Sequence, residues 1–174
     1  MRTRLPLLST ALAFAAVLAG CATPSGPRAT ATLAPTAGNT ASGTVQFVQR
    51  GNMVLVSGEI RGLKPNAEHG FHVHEKGDCS SGDGMSTGGH FNPTAQPHAR
   101  HAAGMHHAGD LPSLKANAAG MASFSFESST ITVGSGVTDV VAKGLIVHRD
   151  PDDYTTQPTG NAGPRLACAV IQKS

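Results

Sequence analysis

Eight of the nine histidines of the chain fall between positions 69 and 110, in a region that is mostly without regular periodicity. His72-Val73-His74 opens it, His90 follows a glycine pair, and His98 and the run His107-Ala108-Gly109-Asp110 close it. The ninth, His148, ends the apolar run Leu145-Ile146-Val147 far downstream. Residues i and i+2 of a strand project from one face, so His72 and His74 form a two-toothed arm while Phe71 and Val73 point into a core. Glycines 88 and 89 allow a close backbone approach beside His90. A loop as long as residues 76–112 is uncommon in a compact domain unless it carries function. Only 14% of the residues are charged, so the histidine cluster is not a solvated surface. It reads as a metal site: zinc accepts tetrahedral nitrogen and oxygen sets, and copper(II) favours several imidazoles.

Around that loop the chain alternates like short strands. Expected strands cover residues 30–35 (a first, edge strand), 44–49, 53–60, 69–75, 113–117, 122–126, 131–133, 143–148 and 166–171, with a second long loop at 149–164. No helix and no internal repeat is evident. Twenty-one glycines, eleven prolines and no tryptophan suit strands joined by many turns. The predicted fold is an all-β, Greek-key antiparallel barrel or sandwich of the immunoglobulin-like kind, with two long functional loops.

Residues 1–20 have a basic start, an apolar middle and the ending Leu18-Ala19-Gly20 before Cys21. This is the layout of an export signal, and it resembles a bacterial lipobox with Cys21 as the lipidated residue. Ordinary signal cleavage beside an incidental Cys21 is the competing reading. Residues 21–28 then form a short tether and 29–174 the domain. The expected location is the periplasmic side of the envelope, lipid-anchored, in the outer membrane rather than the inner. Without Arg2 and Arg4 the chain has eleven basic and eleven acidic residues. That balance excludes a basic nucleic-acid surface.

Gly70-Phe71-His72-Val73-His74, Gly89-His90-Phe91-Asn92-Pro93, His107-Ala108-Gly109-Asp110-Leu111 and Gly160-Asn161-Ala162-Gly163-Pro164-Arg165-Leu166-Ala167-Cys168 resemble copper/zinc superoxide dismutases, in order and spacing, across nearly the whole exported domain. The resemblance implies dismutation of superoxide to O₂ and H₂O₂ by a redox-cycling copper, one copper and one zinc per subunit. Copper would be held by His72, His74, His90 and His148, and zinc by His90, His98, His107 and Asp110. His90 would bridge the metals and donate a proton. Asp152 would orient one histidine on each side, Arg165 would attract and dock superoxide, and Thr159 would narrow the channel. Cys79 and Cys168 would form the disulfide, which leaves Cys21 for the lipid.

The chain departs from the family at Ala99, where glycine is common; the added Cβ is expected to shift the zinc loop. His101 and His106 match no ligand position and are expected to be exposed, the alternative being that His106, adjacent to His107, competes for zinc in a register slip; His69 is expected to be structural. A monomer and a homodimer are both compatible with the sequence. The rival function is a periplasmic module that sequesters or delivers copper or zinc without turnover. Such a module would need the histidines but not Arg165 or Thr159.

Overall fold

The computed structural model describes residues 26–174. The export signal, the lipobox with Cys21 and most of the tether lie outside the described residues. Ten strands follow in order: β1 (Arg28–Pro35), β2 (Ser42–Arg50), β3 (Met53–Arg61), β4 (Glu68–His69), β5 (Phe71–His74), β6 (Leu114–Lys115), β7 (Ala122–Ser128), β8 (Gly144–His148), β9 (Arg165–Val170) and β10 (Gln172–Lys173). The only helix among the described residues is a 3₁₀ turn, Met85–Thr87.

The main sheet runs β5-β8-β9-β1-β2-β3-β7, with β10 paired to β1 and every named strand pair antiparallel. β4 leads through Gly70 into β5, one end of this path, while β6 precedes β7 at the other end. The β4–β6 pair therefore links the two ends of the curled sheet into a Greek-key barrel. Its interior is built from alternating residues. Val45 and Phe47 of β2, Val54, Val56 and Ile60 of β3, Phe71 and Val73 of β5, and Leu145 and Val147 of β8 are all fully buried. Burying one such side chain contributes roughly 1.5–3 kcal/mol, which fixes the face each strand turns inward and hence its register.

Four expectations about strands need correction. β1 is an interior strand: Ala29, Ala31 and Leu33 are buried, and its two sides are taken by β2 and by the returning β9 and β10. Residues 131–133 form no strand, only an isolated bridge between Thr132 and Asp139; Ile131 and Val133 are apolar because they plug the core. The strand at 69–75 is divided at Gly70, and that at 113–117 shrinks to Leu114–Lys115.

β5 ends the sheet path, yet its outer edge is not bare. Val73 N–H donates to Gly109 O at 2.9 Å, and Phe91 N–H donates to Val73 O at 2.8 Å. Glu75 N–H donates to Gly89 O at 3.0 Å, and Gly109 N–H to Phe91 O at 2.9 Å. The long loop thus returns twice to the free edge of β5, satisfying backbone groups that would otherwise invite pairing with another chain. The same contacts carry His90 and Asp110 to the His72–His74 arm. The Cys79–Cys168 disulfide ties the start of this loop to β9.

Candidate metal centre

His72 and His74 leave one face of β5, His148 ends the neighbouring β8, and His90 arrives on the returning loop. One nitrogen from each of the four lies within 4.8 Å of the others. The opposite nitrogen of three rings is engaged. His72 Nε2–H donates to Asp152 Oδ2 at 2.7 Å, His74 Nδ1–H to Gly88 O at 2.9 Å, and His148 Nδ1–H to Gly163 O at 3.0 Å. Those acceptors fix the tautomers. His72 Nδ1, His74 Nε2 and His148 Nε2 therefore present lone pairs inward in the neutral rings.

The consequences are visible at two places. His74 Nε2 and His148 Nε2 face each other at 3.4 Å, with no hydrogen for either to share when both rings are neutral. His72 Nδ1 and His90 Nε2 are buried without any hydrogen-bond partner. Burial, then the neighbouring imidazoles, holds His74 and His148 well below the usual histidine range, and burial first of all lowers His90 to about 4. Four buried lone pairs that converge on one point are costly without a cation, and an all-imidazole set suits copper.

The second cluster shares His90. Asp110 Oδ1 lies 3.0 Å from His90 Nδ1, 3.0 Å from His98 Nδ1 and 3.4 Å from His107 Nδ1. All four residues are buried, and their ligand atoms lie within 4.8 Å of one another. Asp110 Oδ2 is held by the N–H groups of Ala99 at 3.2 Å and His107 at 3.1 Å. Burial works against the Asp110 carboxylate, but hydrogen bonds from His107, His90 and His98 keep it far below the ordinary range. Burial likewise opposes charge on His98, where Asp110 and Asp152 prevail and raise it to about 9. Three imidazoles and a carboxylate are a donor set of the kind that tetrahedral zinc accepts.

Asp152 joins the two clusters. It is buried at 6% exposure, with Oδ2 on His72 and Oδ1 accepting from His98 Nε2 at 2.7 Å. Gly160 makes this bridge feasible: at φ +63°, a Cβ there would lie 1.7 Å from Asp152 Oδ1 and 2.4 Å from His98 Nε2. Arg165, half-buried at the start of β9, donates through Nη1 to Gly84 O and to Thr87 Oγ1 at 2.7 Å, and through Nη2 to Gly88 O at 2.7 Å. Thr159 is half-buried in the loop that also carries Asp152.

Over the described residues these features match a known family. The sequence profile described as copper/zinc superoxide dismutase (SODC) matches residues 41–171. The chain belongs to the copper/zinc superoxide dismutase family. It is 42% identical over 135 residues to "Superoxide dismutase [Cu-Zn]" of Paramecium bursaria Chlorella virus 1, covering 74% of this chain and 71% of that protein. A crystal structure titled for the clock protein EA4 is similar with a TM-score of 0.76 and 37% identity, over 90% of this chain and 99% of that one.

Ala99 has a backbone outside the left-handed region, and its N–H serves Asp110. The expectation that His101 and His106 are exposed needs correction. His106 is buried and His101 half-buried. His106 Nδ1–H donates to His107 O at 2.7 Å, and its Nε2 accepts from Ala102 N–H at 3.4 Å. His101 Nδ1–H donates to Asp110 O at 3.0 Å. Both act as braces of the loop. His69 donates to His148 O at 2.9 Å from within the core.

Sequence reasoning missed several contributors, the Gly163 carbonyl behind His148 among them. The Gly88 carbonyl serves both His74 and Arg165, and Thr87 serves Arg165. Gln157 grips the backbone of His98 from both sides, accepting its N–H at 2.8 Å and donating to its carbonyl at 2.7 Å. None has a sequence signature, because backbone carbonyls and single loop amides carry no spacing rule.

Proposed function

We propose that His72, His74, His90 and His148 hold copper, that His90, His98, His107 and Asp110 hold zinc, and that superoxide reaches the copper side along Arg165. The chain is a superoxide dismutase of the copper/zinc type. It converts two superoxide anions and two protons into O₂ and H₂O₂, with copper and zinc as cofactors. When bound, copper supplies alternating one-electron oxidation and reduction, and zinc supplies a fixed positive charge.

The residues perform the rest. Asp152 and the carbonyls of Gly88 and Gly163 hold the rings so that lone pairs, not hydrogens, face the copper position. His90 has its two nitrogens on different clusters. With Nδ1 committed to the zinc side, Nε2 is the atom at which this ring can take up a proton and release it to departing peroxide. Arg165 keeps its charge at any physiological pH. Its planar fork, anchored on Gly84, Thr87 and Gly88, supplies a fixed positive site that draws in and docks a small anion. Thr159 helps define the width of that approach.

The observation that carries this assignment is the pair of facing lone pairs on His74 and His148 beside the orphaned His72 Nδ1 and His90 Nε2. Competitive metal titration tests it. His148→Ala should cost copper affinity with zinc affinity retained, and His107→Ala the reverse. Equal losses of both metals in both variants would sink the division.

We propose further that the protein is exported and lipidated at Cys21, tethered on the periplasmic side of the outer membrane. The support is the run Leu18-Ala19-Gly20-Cys21 behind a basic start and an apolar segment, with the remaining two cysteines joined to each other. Labelled fatty acid should enter the wild type and not Cys21→Ala. Equal labelling of the two would refute the anchor.

A further inference from the structure

We infer that Thr87 is the side chain that positions Arg165 for anion docking; the inference rests on the docking role proposed for Arg165. Two of the three acceptors holding the guanidinium are backbone carbonyls, Gly84 O and Gly88 O. The third is Thr87 Oγ1, at 2.7 Å from Nη1. Thr87 is completely buried, although it sits in an otherwise largely exposed turn.

Its hydrogen bonds have a fixed polarity. Thr87 Oγ1–H donates to Gly84 O at 2.9 Å, which commits the hydroxyl's one hydrogen and leaves its lone pairs for Arg165. Its backbone is held independently: Lys76 N–H donates to Thr87 O at 3.0 Å and Thr87 N–H donates to Gly84 O at 3.2 Å. Its methyl packs on β8 at Gly144, where even a Cβ would come within 2.8 Å of Thr87 Cγ2. The residue therefore has two separable halves, a methyl seated on the barrel and a hydroxyl aimed at the arginine.

The next residue makes the coupling consequential. Gly88 O accepts from both Arg165 Nη2 and His74 Nδ1. The Thr87–Gly88 pair thus sets the guanidinium relative to a proposed copper ligand, and a swing of the arginine would move the anion away from that ligand. A hydrogen bond to a charged group inside a partly buried site restrains it more firmly than a neutral one.

Thr87→Val keeps the methyl and the volume but removes the hydroxyl, while Thr87→Ser keeps the hydroxyl and removes the methyl. The test is azide affinity of the copper- and zinc-loaded protein, read from the copper(II) visible absorption, beside the superoxide rate constant and its salt dependence. T87V should bind azide about tenfold more weakly, the lower end of the loss expected for one bond to a charged group, with a lower rate constant. T87S should stay within about twofold of wild type, since the lone pairs that define the role remain. Wild-type azide affinity in T87V, or equal losses in T87S and T87V, would overturn the role of the hydroxyl. Arg165→Gln separates the two layers of the argument. If R165Q itself binds azide normally, the docking role of Arg165 falls and this inference with it; a weak R165Q beside a normal T87V overturns Thr87 alone.

Discussion

Asp152→Asn is the most informative single change. In the wild type both carboxylate oxygens accept, from His72 Nε2–H and His98 Nε2–H, each at 2.7 Å. An asparagine keeps one acceptor and turns the other position into an N–H donor facing a ring N–H. One ring must lose its bond or turn, and turning it exchanges the nitrogen offered to the metal. Losing an outer partner of a metal-bound histidine costs about 10- to 100-fold in affinity, which corresponds to about 1.4–2.7 kcal/mol. The loss should fall on one metal much more than the other, because one amide oxygen can still satisfy one ring. The metal-free protein should also lose about 2 kcal/mol, since a buried charge-assisted bond contributes roughly 1.5–3 kcal/mol. Chelator competition for each metal, with chemical denaturation of the metal-free protein, reads both effects. Wild-type affinity for both metals in D152N would refute the claim that Asp152 orients the two clusters.

Other expectations follow from the same geometry. Gly160→Ala places a Cβ against Asp152 and His98 and should weaken metal binding as D152N does, with added destabilisation from its positive φ, visible as a lower melting temperature. Cys79→Ser should cost about 4–5 kcal/mol, from closure of a loop spanning 89 residues in the chain-entropy account; unchanged denaturation midpoints would contradict it. Gln157→Ala should release the backbone of His98 and speed zinc loss to a chelator while copper loss stays slow. For the metal-free protein the pH dependence has two sides. His90, lowered to about 4, binds fewer protons folded than unfolded, so stability falls as pH drops from 6.5 towards 4. His98, raised to about 9, contributes fully below 6.5 and that contribution is lost as pH rises to 9. Melting temperatures across pH 4–9 should pass through a maximum between those limits, and a monotonic curve would contradict the opposed shifts.

The barrel was legible in the sequence wherever one face of a strand is buried. The alternation of Val45 with Phe47 and of Val54 with Val56 marks inward residues directly. It does not count a strand's neighbours, so β1 read as an edge although the C-terminal strands return to cover it. The apolar run at residues 131–133 satisfied a strand pattern while filling a gap in the core as irregular chain. Among the site residues, the histidines were conspicuous because several of one scarce, metal-binding type lie close together. The residues that aim them were not. Gly88 and Gly163 act through carbonyls, Gln157 through an amide on a backbone, and Thr87 through a hydroxyl in a turn. Those roles depend on where two loops meet, and sequence spacing carries no record of it. His106 illustrates the same limit: a histidine beside a ligand reads as surplus, and only the closed turn from Ala102 to His107 gives it a buried task.

Two adjoining clusters and a fixed arginine are proposed to carry the superoxide dismutase activity of this chain. The most direct test is superoxide decay by pulse radiolysis on the described domain, loaded with copper and zinc and checked for metal content. The rate constant should lie near the diffusional ceiling of about 10⁹ M⁻¹s⁻¹ and fall as salt is added. Decay no faster than free copper would give, with both metals bound, would contradict it and leave a protein that holds metals without turnover.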